Sequence, residues 1–289
     1  MLNPRRISVV VAFVLSCFFS VAGHAGKYVP KDSTRMTGKV DRDGKTLVLS
    51  RKWNGIFTYS TANLNSYSRT VQLSNNHTVT LNIFPRMIAE EVIAIWQVTT
   101  FPFSSVQGNQ PLSLAISTGR LPLPEQVGVT NPLGSPHTVT IDMDHIVNHA
   151  VRDYETSVSQ GYINQGRTSF QDFVVMLTRL TLMHEIGHAM GLGHPNANTD
   201  PEQADYGGYF RVLIPADGSV PTPSIMVHDT RLYFQYLSQT LGRDVRPEDI
   251  RPSERDIRAA NIMWSGLPQS TLISMSCTSR NGHCGIMWH

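Results

Sequence analysis

Thr181-Leu182-Met183-His184-Glu185-Ile186-Gly187-His188-Ala189-Met190-Gly191-Leu192-Gly193-His194-Pro195 decides the reading of this chain. His184 and His188 stand four positions apart, so on a helix their imidazoles project from one face and can share a cation. Glu185 follows the first histidine, which places its carboxylate beside that cation rather than on it. Gly191 can adopt the backbone conformation that ends a helix and turns the chain, bringing His194 round as a third ligand. Three neutral histidines with an open fourth position make the catalytic type of zinc site, with Glu185 as general base to a bound water. By chance, the five fixed positions of HExxHxxGxxH would arise in roughly 3 of 100,000 sequences of this composition, so the pattern is treated as a site.

Upstream, Phe173, Val174, Leu177, Leu180, Leu182 and Ile186 occupy more than one face of the same segment. A long, largely buried helix beginning near Ser169 is expected. Further upstream, about Asp144 to Val158 reads as another helix, and Ile88, Val92, Ile95 and Thr99 place an amphipathic helix after Pro85. Ile56 to Tyr59, Val79 to Ile83, Leu112 to Ile116 and Val139 to Met143 read as strands, the last two by alternation. Leu121 to Ser135 contains Pro and Gly without periodicity and is expected as a loop. Asp43-Gly44 before Leu47-Val48-Leu49 predicts a hairpin turn.

The chain has 289 residues, 40% hydrophobic and 16% charged, with 24 basic and 22 acidic side chains. One sizeable globular unit fits that composition, and disorder over most of its length does not. The formal charge of +2 argues against a nucleic-acid partner, which normally calls for a basic face. Arg5 and Arg6 precede an apolar run from Ile7 to about Val21 that ends in small residues at Ala22, Gly23 and Ala25, the pattern of an export signal rather than a membrane anchor. Cleavage after Ala25 removes two arginines and leaves 22 basic against 22 acidic residues. The location expected is therefore secreted, or periplasmic in a Gram-negative source. Of the cysteines, Cys277 and Cys284 remain after cleavage, and a local disulfide is the expected use in an exported chain.

The extended histidine motif resembles the signature of the metzincin clan of zinc endopeptidases. Pro223-Ser224-Ile225-Met226 is similar to that clan's methionine turn, which places Met226 beneath the metal. Trp53 to Tyr59, Pro85 to Thr100 and Ser253 to Trp264 look like its first strand, first helix and last helix. Pro195 and the 31 residues between His194 and Met226 are similar to serralysins, while the strand and last-helix sequences are similar to matrixins. The calcium-binding repeats of the former and the pro-segment cysteine of the latter are missing. Where astacins and serralysins carry a tyrosine two positions after the turn methionine, this chain has His228, read either as a fourth ligand or oxyanion donor or as a loop histidine.

The resemblance implies an α/β, metzincin-like zincin fold: a twisted mixed sheet, a long active-site helix and a C-terminal subdomain after the zinc motif. The expected organisation is a signal peptide at 1–25, an N-terminal extension at 26–50, a catalytic domain at 51–267 and a disulfide-closed tail at 268–289. The implied activity is a secreted, monomeric endopeptidase with one Zn²⁺ on His184, His188 and His194, Glu185 as the catalytic base and a protein or peptide as substrate. No nucleic acid and no stable membrane anchor are expected. Three other readings stand beside it: a non-catalytic adhesin or host-binding module on the same fold, an aminopeptidase of the same clan, and a zinc-stabilised structural protein. Asp142, Asp144, His145 and His149 form a second cluster in which a structural metal and an ordinary helix cap are both open.

Overall fold

Strands rich in β-branched and aromatic residues supply the sheet on which the histidine helix rests. The computed structural model describes residues 57–99 without 75, 103–131, 136–193, 223–227, 230–254, 256, 257, 260 and 261, with strands at 35–40, 47–49, 209–212, 274–278 and 283–287. The expected signal peptide, His194 and His228 lie outside the described residues.

In chain order, β1 (Arg35–Val40) and β2 (Leu47–Leu49) form the expected hairpin, with Gly38 opposite Leu49. β3 (Phe57–Asn63) is followed by a hairpin of β4 (Tyr67–Gln72) and β5 (Thr78–Ile83), and then by α1 (Pro85–Trp96). β6 (Phe103–Ser105), β7 (Leu114–Thr118), β8 (Gly128–Asn131) and β9 (His137–Ile141) lead into α2 (Met143–Ser159) and α3 (Phe170–Ala189). Beyond these lie β10 (Leu192–Gly193), β11 (Tyr209–Val212), α4 (Thr230–Leu241), β12 (Ser274–Thr278) and β13 (His283–Met287). The protein is a mixed α/β structure.

The central sheet has the order β6-β3-β7-β9-β8. Its first four strands are parallel and β8 closes one edge antiparallel, with Thr130 opposite Val139. Alternate residues of the central strands, Leu114, Ile116, Val139 and Ile141, are buried together with Phe57, whereas Ala115, Thr138 and Thr140 between them keep partial or full exposure. A second sheet, of order β10-β1-β11-β13-β12, joins the N-terminal segment to strands that follow the histidine motif. Within it Cys277 lies opposite Cys284 in the register of β12 and β13, though their side chains fall outside the described residues.

Three findings differ from the sequence reading. The expected loop from Leu121 to Ser135 contains β8, made a strand by its pairing with β9 rather than by its own composition. The expected strand to Met143 stops at Ile141, because Asp142 turns the chain and Met143 begins α2. The polar strand β4 and the helix α4 are further elements beyond those expected from the sequence.

Helix α3 is the backbone of the site. Ser169 caps it: its Oγ accepts from the Asp172 N–H at 3.1 Å while Asp172 Oδ2 accepts from the Ser169 N–H at 3.0 Å. That reciprocal pair satisfies two of the amides that every helix start leaves over. Fourteen of its 20 residues are buried, so the helix is enclosed nearly all round. From α1, fully buried Trp96 donates its indole N–H to the Met183 carbonyl at 3.2 Å, one residue before His184. Burying an aromatic side chain of that size contributes about 3 kcal/mol, and the polar bond fixes which way it sits.

Candidate metal site

At the end of α3 the half-buried rings of His184 and His188 meet edge to face with centroids 4.6 Å apart. His184 Nδ1 lies 3.1 Å from the Ile225 carbonyl and His188 Nδ1 lies 2.8 Å from the Leu192 carbonyl. A carbonyl oxygen only accepts, so both Nδ1 atoms carry the proton. Both Nε2 atoms therefore present lone pairs, and they face each other at 3.0 Å. Two lone pairs at that spacing repel unless a cation lies against both, and metal-bound histidines characteristically give their other N–H to a carbonyl in this way. The pair fits zinc, whose bonds to nitrogen are about 2.0–2.1 Å.

The neighbouring parts are arranged around that pair. Helix α3 stops at Ala189, Gly191 takes φ +99°, and its N–H returns to the His188 carbonyl at 2.9 Å. A side chain is strained at that φ, which explains the glycine at the turn that ends the helix. Glu185 is 7% exposed. The Thr130 hydroxyl, on β8, lies 2.6 Å from Glu185 Oε2 and 2.8 Å from its carbonyl oxygen. β8 can lie this close because residue 128 is glycine: a Cβ there would stand 2.7 Å from both Glu185 Cγ and Thr181 Cγ2.

Met226 is fully buried beneath the helix, its sulfur 2.5 Å from where a Cβ on Gly187 would stand. The turn that carries it is held by Asp256, itself 0% exposed. Asp256 Oδ1 accepts from Ser224 Oγ at 2.6 Å, and Oδ2 accepts from the Ile225 N–H at 2.9 Å and from Ser253 N–H and Oγ at 2.7 and 2.8 Å. Asp256 thus fixes Ile225, whose carbonyl orients His184, and it is a positioning residue that the histidine motif does not reveal. Its signal in the sequence was Ser253-x-x-Asp256, the spacing of a helix-capping pair.

The second cluster does not form a metal site. Asp142 is the cap of α2: Oδ1 accepts from the Asp144 and His145 N–H groups at 3.0 and 3.1 Å, and Oδ2 accepts from the Leu121 N–H at 2.9 Å. His145 Nδ1 is 2.8 Å from the Gln126 carbonyl and His149 Nε2 is 3.3 Å from the Pro124 carbonyl. Burial and then the Arg152 guanidinium hold His149 below its ordinary pKa. Among the described residues no group of three or more His, Cys, Asp or Glu side chains gathers to hold a metal, and the motif's expected third ligand, His194, lies outside them.

No protein-family model matches the chain, and no curated protein matches it. Among solved structures it is similar to a chain of one described as the GM1-bound form of the ECX AB5 holotoxin. The identity is 23% and the TM-score 0.60, over 81% of this chain and 89% of that one. At this identity the likeness concerns the fold. These findings correct the expected identification as a metzincin-clan zinc endopeptidase of matrixin or serralysin type, and with it the hydrolase and metalloprotease activity on a protein or peptide substrate. The solved structure it resembles is described as a toxin assembly, and among the described residues no group of three or more His, Cys, Asp or Glu side chains gathers to hold a metal. The physical reason is one of scale: the motif constrains one turn of helix and the chain reversal after it, whereas the comparison weighs most of the fold.

Proposed function

We propose that this chain is an exported, non-catalytic component of a toxin-like assembly, acting by engaging a glycan on a host surface together with partner chains. The observation that carries this reading is the likeness, across 81% of the chain, to a holotoxin structure whose description names bound GM1, a ganglioside. Zinc, held by His184 and His188 with His194 as the third ligand, serves here as a brace. It ties the end of α3 to the chain that follows, and its binding free energy is folding free energy. Glu185, held by Thr130, places a negative charge beside the metal.

The test uses the mature chain in two parallel assays: sedimentation with phosphatidylcholine vesicles with and without GM1, and incubation with an internally quenched peptide blocked at both ends. The reading requires preferential sedimentation with GM1 vesicles and an intact peptide. Equal sedimentation with both vesicles overturns it, and so does peptide cleavage that Glu185→Gln abolishes.

A further inference from the structure

The parallel sheet has a second place where chemistry can gather. From β3 the chain crosses to β6 on one side, and then from β6 to β7 on the other side of β3. The strand order reverses about β3, and in open sheets of this kind ligands lie in the crevice beyond the carboxyl ends of the strands at such a reversal. A cleft of about 260 Å³ lies there, lined by Asn65, Ser66 and Tyr67 after β3, Thr118 and Arg120 after β7, and Asp144 at the start of α2. None of these residues belongs to the histidine site.

Its polar groups are partly committed and partly open. The Tyr67 hydroxyl donates to Asp144 Oδ1 at 2.7 Å, and Arg69 Nη1 lies 3.3 Å from the same oxygen. Burial and the Asp144 carboxylate push the Tyr67 hydroxyl up to about 12, so the phenol keeps its proton and its ring stays pinned at the wall. Asp144 Oδ2, by contrast, accepts no hydrogen bond from a described residue, and the exposed Arg120 guanidinium makes no hydrogen bond or ion pair among them. Asp142, at the back of the cleft, is saturated by three N–H groups.

The cleft therefore offers an open acceptor, an open fork of donors, two small polar side chains and an aromatic edge. Its volume is just under the ~300–1,000 Å³ that holds drug-sized ligands. Hydroxyl groups answer that combination because each both donates and accepts. The two lining carboxylates, Asp142 and Asp144, against one unpaired guanidinium disfavour an anionic occupant. We infer that this cleft is a subsite for a single neutral sugar ring, with Arg120 and Asp144 dividing a pair of its hydroxyls and Tyr67 forming the wall. The inference deepens the proposed host-binding function and rests on it for its biological sense.

The probes are methyl β-galactoside, methyl β-glucoside and the methyl glycoside of N-acetylneuraminic acid, titrated into the mature chain and followed by NMR. One neutral glycoside should bind, and Arg120→Ala and Asp144→Asn should each weaken it by about tenfold or more, the loss expected for a hydrogen bond to a charged group. Arg120 is exposed, so its variant should fold, and circular dichroism checks the second. Absence of binding by either neutral glycoside, preference for the acidic sugar, or indifference to both substitutions overturns the assignment. Vesicle sedimentation run alongside separates the two failures. GM1 vesicles bound alike by the wild type and Arg120→Ala, without neutral glycoside binding, sink the subsite alone. A glycoside bound without vesicle preference sinks the host-binding function and leaves the subsite.

Discussion

Helices α2 and α3 each carry two histidines four positions apart next to an acidic residue, and only the second pair brings two Nε2 atoms together. In α3 both rings hand their Nδ1 protons to carbonyls of segments that follow the helix, Ile225 and Leu192, and their Nε2 atoms converge at 3.0 Å. In α2 the rings reach Gln126 through Nδ1 and Pro124 through Nε2, so no common face is left, and Asp142 is consumed by capping. Helical spacing makes a shared ligand geometrically available. What lies outside the helix decides whether it is used.

The sharpest way to break this contrast is His188→Ala beside His149→Ala. Elemental analysis should find the first stripped of zinc, with affinity lower by more than about 100-fold, beyond the range seen for outer-shell changes. The second should match the wild type in metal content. Equal zinc in all three proteins would end the distinction.

Next in size is Asp256→Ala, which leaves the amide of Ile225 and two serine hydroxyls buried without their acceptor. Denaturant unfolding should show a loss of about 2–4 kcal/mol, and zinc affinity should fall about tenfold because the Ile225 carbonyl loses its place. A stability loss with unchanged zinc affinity would show that the turn does not orient His184. Gly187→Ala pits about 1 kcal/mol of helix propensity against a contact with the Met226 sulfur, and a net loss of about 1–2 kcal/mol is expected in the same unfolding experiment. A gain in stability would mean that Met226 can move aside freely. The smallest effect sharpens the other end of α3: Ser169→Ala should cost about 1 kcal/mol by thermal or denaturant unfolding without altering zinc content.

Much of this architecture was legible from residues alone. The capping serine, the apolar rows of α1 and α3, and the alternation of Leu114-Ile116 and Val139-Ile141 each state a local preference that packing then obeyed. β8 was not legible, since Gly128-Val129-Thr130-Asn131 becomes a strand through β9 and rests on α3 only because residue 128 has no Cβ. β4 buries only Val71 among its six residues, so no apolar alternation announces it. α4 did carry a signal, Tyr233, Phe234 and Leu237 at helical spacing, all buried. At the site, the convergence of His184 and His188 with Glu185 beside them was readable, while His194 lies outside the described residues. Thr130 was not readable, because its partner lies 55 residues away, and Asp256 showed only its local capping pair with Ser253, not the bond to Ser224, 32 residues away. The activity attached to the motif was misread for a related reason: one turn of helix carries too little of the chain to specify what the whole protein does.

The capping pair Ser169–Asp172 pins one end of α3, and the two carbonyls that receive the histidine protons pin the other. A helix clamped at both ends acts as a ruler. Each added residue would rotate everything beyond it by about 100° and advance it by about 1.5 Å. One insertion between Asp172 and His184 would swing both imidazoles off their carbonyls, and two or three would not restore them. A fourth, close to a full turn, would bring the ring directions nearly back while carrying them about 6 Å past Ile225 and Leu192. Substitutions along this segment are therefore constrained by packing, whereas its length is constrained by arithmetic, and only the former can drift gradually.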